Sequence, residues 1–250
     1  MPTSKLPTEA EVVIIGVGGI VGSMLAYWLA ELGQKNIIGL EKSSVIPSDI
    51  GSTAHASDFV YNTTHDKLGN WTTAFSRKFY EEHGFFLKKG GLEICREGDD
   101  ARWEELKRKV GSGRAFGTNV SLISASEAKE KFPLLDEDSI RGAMWDPDAG
   151  LVIPRSQDVV SFAVEKAKET GALSAYTDTP AIGFEIENGR VTGVNTDKGT
   201  IKTDKVVIAS GIWGPLLGDM AGVPVPLSPV EHPLLFFGPL PQAQGAEDFL

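Results

Sequence analysis

Residues 11–22, EVVIIGVGGIVG, constrain this chain more than any other stretch. A short continuous apolar run that stops at glycine is the pattern of a strand buried on both faces of a parallel sheet. GSMLAYWLAELG follows, with Leu25, Trp28, Leu29 and Leu32 at helical spacing and Gly33 placed to end a helix. NIIGLEK, 36–42, reads as the next strand. The chain therefore opens β-α-β, and an α/β fold is expected.

The turn between the first strand and the helix carries Gly16, Gly18 and Gly22. A helix N-terminus at that point aims free N–H groups and partial positive charge at a pyrophosphate, and glycines let the phosphate approach the backbone. Glu41 ends the second strand nineteen residues after Gly22, where a carboxylate accepts hydrogen bonds from a ribose diol. The usual spacing is G-x-G-x-x-G, and GVGGIVG holds one residue more. Either the loop bulges at Gly18-Gly19, or Gly19 takes the second glycine's place. The arrangement points to a dinucleotide. The plainer alternative is a tight turn whose glycines serve packing alone.

Beyond the polar loop GSTAHAS, 51–57, the sequence WTTAFSRKFYEEHG is helix-like and GLEICRE, 91–97, alternates as a strand. DDARWEELKRKV sets Trp103, Leu106 and Val110 on one face, and its charges on the solvated one. Ser124 and Glu127 form a capping-box pair before a short helix that Pro133 ends. SQDVVSFAVEKAKETG, 156–171, is a stronger helix with Ser156 expected as N-cap. From Ala181 the pattern changes to hairpins, with turns at Asn188-Gly189 and Asp197-Lys198-Gly199. KVVIASGIWG, 205–214, then returns to a buried parallel strand. These signals predict a Rossmann-like domain from residues 1–75 and 150–216. An inserted α+β domain is expected from 76–149 and 217–250. The last residues, HPLLFFGPLPQAQGAEDFL, offer one strand and a Pro/Gly loop with nothing to cover them, so truncation at the C-terminus is expected.

Composition narrows the partners. A formal net charge of −10 argues against nucleic acid and anionic membranes, which need basic patches. Cys95 is the sole cysteine, which excludes a disulfide framework and multi-cysteine zinc sites. No apolar run approaches the ~18 residues of a membrane span. The apolar pattern begins by Val12, so no signal peptide is read and a cytoplasmic location is expected. Sequons at Asn62, Asn70 and Asn119 are read as chance matches. No His, Asp and Glu set has metal-ligand spacing, and Gly-x-Ser-x-Gly is absent.

A small-residue loop after the second strand, and hairpins before VVIASGIWG, suit a flavin fold better than a nicotinamide fold. With those motifs the chain resembles the amine-oxidising flavoenzymes related to D-amino-acid oxidase, in the dimethylglycine oxidase and sarcosine dehydrogenase branch. The specific segments are GST-x-HA and GRV-GV-T…VV-A-G-WG; FPLLDEDSIRGAMWDPDAGLVIP and VPLSPVEH add to them. The resemblance implies an FAD cofactor, joined covalently to His55 through the 8α carbon of its ring. Ser52 and Thr53 offer hydroxyls to the pyrophosphate. Glu41, with Lys42, holds the adenosine ribose. Ala181 gives adenine a backbone contact where the family more often has valine. Gly211 to Trp213 line the flavin. His232, in PVEH, stands as the base, although Pro233 follows it where the family continues an open strand. His65 and His83 match no functional position.

The implied reaction is oxidation of a secondary or tertiary N-methyl amino acid, of the dimethylglycine or sarcosine kind, by hydride transfer to flavin. Electrons pass to oxygen or to a carrier protein, and the sequence leaves that choice open. Three other readings stand beside it: a noncatalytic flavin-fold module, an NAD(P)-dependent dehydrogenase, and oxidation of another secondary amine, proline-like or sugar-linked.

Overall fold

A computed structural model of the chain describes residues 5–231 and 241. The elements run β1 (Val12–Ile15), α1 (Ile20–Glu31), β2 (Ile37–Leu40), β3 (Phe59–Val60), α2 (Lys67–Glu82), β4 (Phe86–Lys88) and β5 (Gly91–Arg96). There follow α3 (Asp100–Ala115), β6 (Ser121–Ser124), α4 (Ala125–Lys131), β7 (Ile140–Asp146), β8 (Gly150–Val152) and α5 (Ser156–Glu169). The chain continues with β9 (Leu173–Tyr176), β10 (Ala181–Glu187), β11 (Arg190–Thr196), β12 (Gly199–Lys202), β13 (Val206–Ile208) and α6 (Gly214–Met220). Two compact units result. Among the described residues the first takes 5–56 and 155–231, and the second takes 57–154 and 241.

The first unit is built on a parallel sheet of order β13-β1-β2-β9. Its central strands read as unbroken apolar runs because successive residues serve opposite faces. Val12, Ile14 and Ile37 join the helix-covered core with Ala26, Val160 and Val164. Val13, Ile15, Ile38 and Leu40 pack the other way, onto Val194 and Ile201 of the antiparallel meander β10-β11-β12 and Leu217 of α6. Asn188 and Gly189, both at positive φ, make the β10–β11 hairpin turn.

Three details differ from expectation. Helix α1 buries Gly22, Ser23, Ala26, Tyr27 and Ala30; of the expected stripe Leu25 and Leu29 are partly buried against the same core, while Trp28 and Leu32 are exposed, Leu32 at 82%. Small residues win because α1 lies close to the sheet and to α5. Strand β13 occupies a sheet edge, so Val207 is partly exposed rather than buried. Ser156 is the first helical residue of α5 and Arg155 takes the N-cap position, in extended conformation and without a side-chain cap bond.

The second unit holds two three-stranded antiparallel sheets, β3-β8-β4 and β5-β7-β6, with α2, α3 and α4. The Ser124–Glu127 capping box forms as the sequence predicts. Leu106 and Val110 of α3 pack on Cys95 and Met144, with Tyr61 against the same cluster. Its O–H donates to the Leu92 carbonyl at 3.0 Å. Burial, with the Glu93 carboxylate adding to it, pushes the Tyr61 phenol up to about 12. The neutral phenol is thus favoured by folding. Its contribution is complete below pH 10, where the unfolded tyrosine is also protonated, and is lost between 10 and about 12. Urea midpoints measured across that window should fall, and Tyr61→Phe should flatten the fall.

Candidate cofactor site

The first unit contains a cavity of about 610 Å³ where the β1–α1 turn, the end of β2, the 51–53 loop and the residues after β13 converge. That volume suits a sizeable small molecule, since such pockets run from about 300 to 1,000 Å³.

The glycine turn divides its tasks. Gly16 has φ +97, and a Cβ there would lie 2.5 Å from the Ala209 carbonyl oxygen. Gly22 faces the Gly16 carbonyl so closely that a Cβ would overlap it. Neither Gly18 nor Gly22 lines the cavity, whereas Gly16 and Gly19 do. Gly19 is the N-cap of α1, and a Cβ there would make ordinary contact with Thr53 Oγ1 at 3.6 Å. Of the two arrangements that seven-residue GVGGIVG allows, Gly19 therefore occupies the position of close approach. Gly18 serves another purpose: its N–H donates to Glu41 Oε2 at 3.0 Å, and a Cβ would strike that carboxylate.

Glu41 is only 6% exposed, yet it borders the cavity. Its second oxygen accepts from the Ser43 N–H at 2.9 Å. Each carboxylate oxygen keeps a lone pair, enough to take hydroxyl hydrogens from a ribose. The Thr179 N–H bonds to the Glu41 carbonyl at 2.9 Å, which carries Thr179, Pro180 and Ala181 along the same wall.

At the α1 N-terminus the Ile20 N–H is capped from 33 residues away by Thr53 Oγ1, at 3.0 Å. The Val21 and Gly22 N–H groups have no hydrogen-bond acceptor among the described residues. Free donors and the helix dipole together favour an anion there. Ser52 and Thr53 border the cavity beside them.

Lys42 and Trp213 also border it, and they meet: the ammonium sits 3.9 Å from the indole centroid. Gly211, at φ +53, opens the short turn that presents Trp213. The sequence signals placed Lys42 and Trp213 at different parts of a cofactor. Their contact sets Trp213 beside the residue that follows Glu41, a pairing no local pattern encodes.

His55 ends a 3₁₀ turn, Ser52–His55, and is exposed; it does not line the cavity. Its Nδ1 lies 3.0 Å from the Gly51 carbonyl oxygen, so Nδ1 carries the hydrogen. In the neutral ring the lone pair is then on Nε2. His232 lies outside the described residues. His65 faces Glu105 at 3.4 Å and the His83 Nδ1 faces the Phe79 carbonyl oxygen at 2.8 Å, both in the second unit. Asn62 and Asn70 are buried. Among the described residues no group of His, Cys, Asp and Glu could hold a metal ion, and no helix is long and apolar enough to cross a membrane.

A glycine-turned helix end, a buried acid at the tip of the next strand and a meander packed beneath the sheet define a nucleotide-binding flavoprotein fold. The chain belongs to the DAO family of FAD dependent oxidoreductases, which it matches over residues 11–249. Human mitochondrial sarcosine dehydrogenase is 30% identical over 244 residues, and human mitochondrial dimethylglycine dehydrogenase 31% over 231. The mitochondrial regulatory subunit of mouse pyruvate dehydrogenase phosphatase is 31% identical over 236. These matches cover 92%, 90% and 91% of this chain, which spans about a quarter of each relative's length, 26%. Among solved structures, L-proline dehydrogenase from P. horikoshii superposes with a TM-score of 0.77 at 35% identity, covering 87% of this chain and 57% of that one.

FAD fits the residues present. The cavity has a free N–H donor for a pyrophosphate at Val21, and Gly19, where the helix starts, borders it without a side chain. Glu41 is the acceptor pair for a ribose. Glu41→Gln should leave one of the Gly18 and Ser43 N–H groups facing an NH₂. A loss of about 1–3 kcal/mol in urea denaturation is expected, together with weaker FAD binding by fluorescence titration.

Proposed function

We propose that this chain forms the FAD-binding part of a flavoenzyme that oxidises the C–N bond of a secondary or tertiary N-methyl amino acid, sarcosine- or dimethylglycine-like. The observation that carries this reading is the family match, joined to a cavity that ends in the α1 N-terminus, Glu41 and the GSTAHAS loop. Two relatives whose names specify sarcosine and dimethylglycine support the substrate class. Bound FAD would supply the acceptor for hydride.

The protein's own residues have three tasks in this reading. The Val21 N–H group, with the Ser52 and Thr53 hydroxyls, holds the pyrophosphate. Glu41 fixes the ribose, with Lys42 and Trp213 beside it and the Ala181 backbone toward the adenine. His55, with its Nε2 lone pair unengaged, carries the flavin covalently. The substrate nitrogen must be neutral before the C–H bond breaks, because its lone pair stabilises the forming iminium. An aliphatic ammonium has a pKa of about 10, and a histidine near 6–7 accepts its proton at neutral pH. His232 is the proposed acceptor. Oxygen and a carrier protein are both open as the final electron acceptor.

The chain should purify yellow, or turn yellow with FAD, with colour that persists through acid precipitation. His55→Ala should release all flavin into the acid supernatant. Sarcosine or dimethylglycine added without air should bleach the flavin band, and His232→Ala should slow bleaching at pH 7 by about 10²–10⁴-fold. Bleaching by proline but by neither N-methyl compound would transfer the assignment to a cyclic amine, as in the proline dehydrogenase relative. A yellow protein bleached by no amine would favour the regulatory-module reading, which the phosphatase subunit's similarity supports.

A further inference from the structure

The loop that carries His55 is tied down at its far end by a residue the sequence motifs do not include. Arg155 stands directly before α5, and its guanidinium Nη2 donates to the Ala56 carbonyl oxygen at 3.2 Å. The chain leaves the first unit after Ala56 and re-enters it at Arg155, so this bond joins two points 99 residues apart within that unit. The base of Arg155 is firm. Helix α5 buries Val159, Val160, Ala163, Val164 and Ala167, several of them in one core with β1 and α1.

Three ties therefore hold residues 51–56: Thr53 Oγ1 to the Ile20 N–H, the His55 ring to the Gly51 carbonyl, and Ala56 to Arg155. The first fixes the loop to the phosphate end of the cavity. The second sets the tautomer of His55. Of these three side-chain ties only the third acts beyond His55, and it is charge-assisted, the stronger kind of hydrogen bond. Without the third, the end of the loop relies on backbone bonds, the long one from the Ala56 N–H to the Thr53 carbonyl at 3.4 Å and, further along, the one from the Val152 N–H to the Asp58 carbonyl.

We infer that Arg155 is the positioning residue for His55: its bond to Ala56 fixes the end of the loop and thereby the direction in which Nε2 is presented. The inference rests on the covalent-flavin reading for its functional consequence, but not for the structural tie. Attachment exchanges a C–H bond of the flavin 8-methyl group and the imidazole N–H for one C–N bond. Two protons and two electrons leave, and dioxygen takes them as hydrogen peroxide. A misdirected Nε2 slows this step without touching the pyrophosphate or ribose contacts, so total flavin binding and acid-stable flavin should separate.

Hydrogen exchange and acid precipitation on the full chain test it. In Arg155→Ala, the Ala54 and Ala56 amides, which bond to Gly51 and Thr53 carbonyls, should exchange about tenfold faster, while α1 and β1 amides keep their rates. The acid-stable share of bound flavin should fall by about fivefold or more, with total bound flavin within about twofold of the parent. Arg155→Lys, which keeps a cationic donor, should recover both readouts in part. Unchanged loop exchange overturns the inference, as does an acid-stable share that stays at the parent level while loop exchange rises. If Arg155→Ala speeds exchange throughout the first unit, Arg155→Lys decides: acid-stable flavin must track loop protection, and its failure to do so overturns the inference. Absence of acid-stable flavin in the parent chain defeats the covalent reading instead, and loop exchange still decides whether Arg155 holds the loop.

Discussion

The carbonyl oxygen of Gly16 lies where a side chain at position 22 would have to go. That contact brings α1 down onto the sheet, and much of the first unit follows from it. A close helix favours small residues where it touches the sheet, so Ser23, Ala26 and Ala30 are buried there, while Trp28 and Leu32 are exposed. Close seating also puts the α1 N-terminus within reach of Thr53, whose hydroxyl then replaces the side-chain cap that Gly19 cannot provide. The glycine turn is thus a packing device first. Its capacity for an anion comes from what that packing leaves uncapped.

Glu41 shows how little separates a structural role from a binding one. Its carboxylate is held by two backbone N–H groups from different segments, Gly18 and Ser43. Such anchoring lowers the entropy a ligand's hydroxyls would otherwise have to remove on binding. The same contact explains why the turn carries a glycine that never borders the cavity. An alanine at 18 would meet Glu41 itself.

What could be read directly from the residues was what depends on period and local chemistry. The run VVII announced a sheet covered on both faces, the Ser124–Glu127 pair announced a cap, and Asn188-Gly189 announced a hairpin. Each is fixed by residues within a few positions of one another. What escaped depends on distance through space. The leucine spacing in α1 holds for Leu25 and Leu29, which pack on the core, and fails for Trp28 and Leu32, because closeness of approach gives most of the fully buried positions to small residues. The choice between Gly18 and Gly19 turned on a carboxylate 23 residues away. Ser156 looked like the cap of α5, yet the chain reaches that helix extended through Arg155, whose side chain turns to a carbonyl 99 residues earlier. The contact of Lys42 with Trp213 likewise exists only once β2 and β13 lie in one sheet with β1 between them.

The clasp between Ala56 and Arg155 has a counterpart just beyond it, where the Val152 N–H bonds to the Asp58 carbonyl at 2.7 Å and β3 lies antiparallel to β8. The segment 57–154 thus begins and ends at neighbouring points, and so does the gap it would leave in its host. An insertion of this kind can be exchanged, lengthened or lost through a single short splice without disturbing the sheet that frames the cavity.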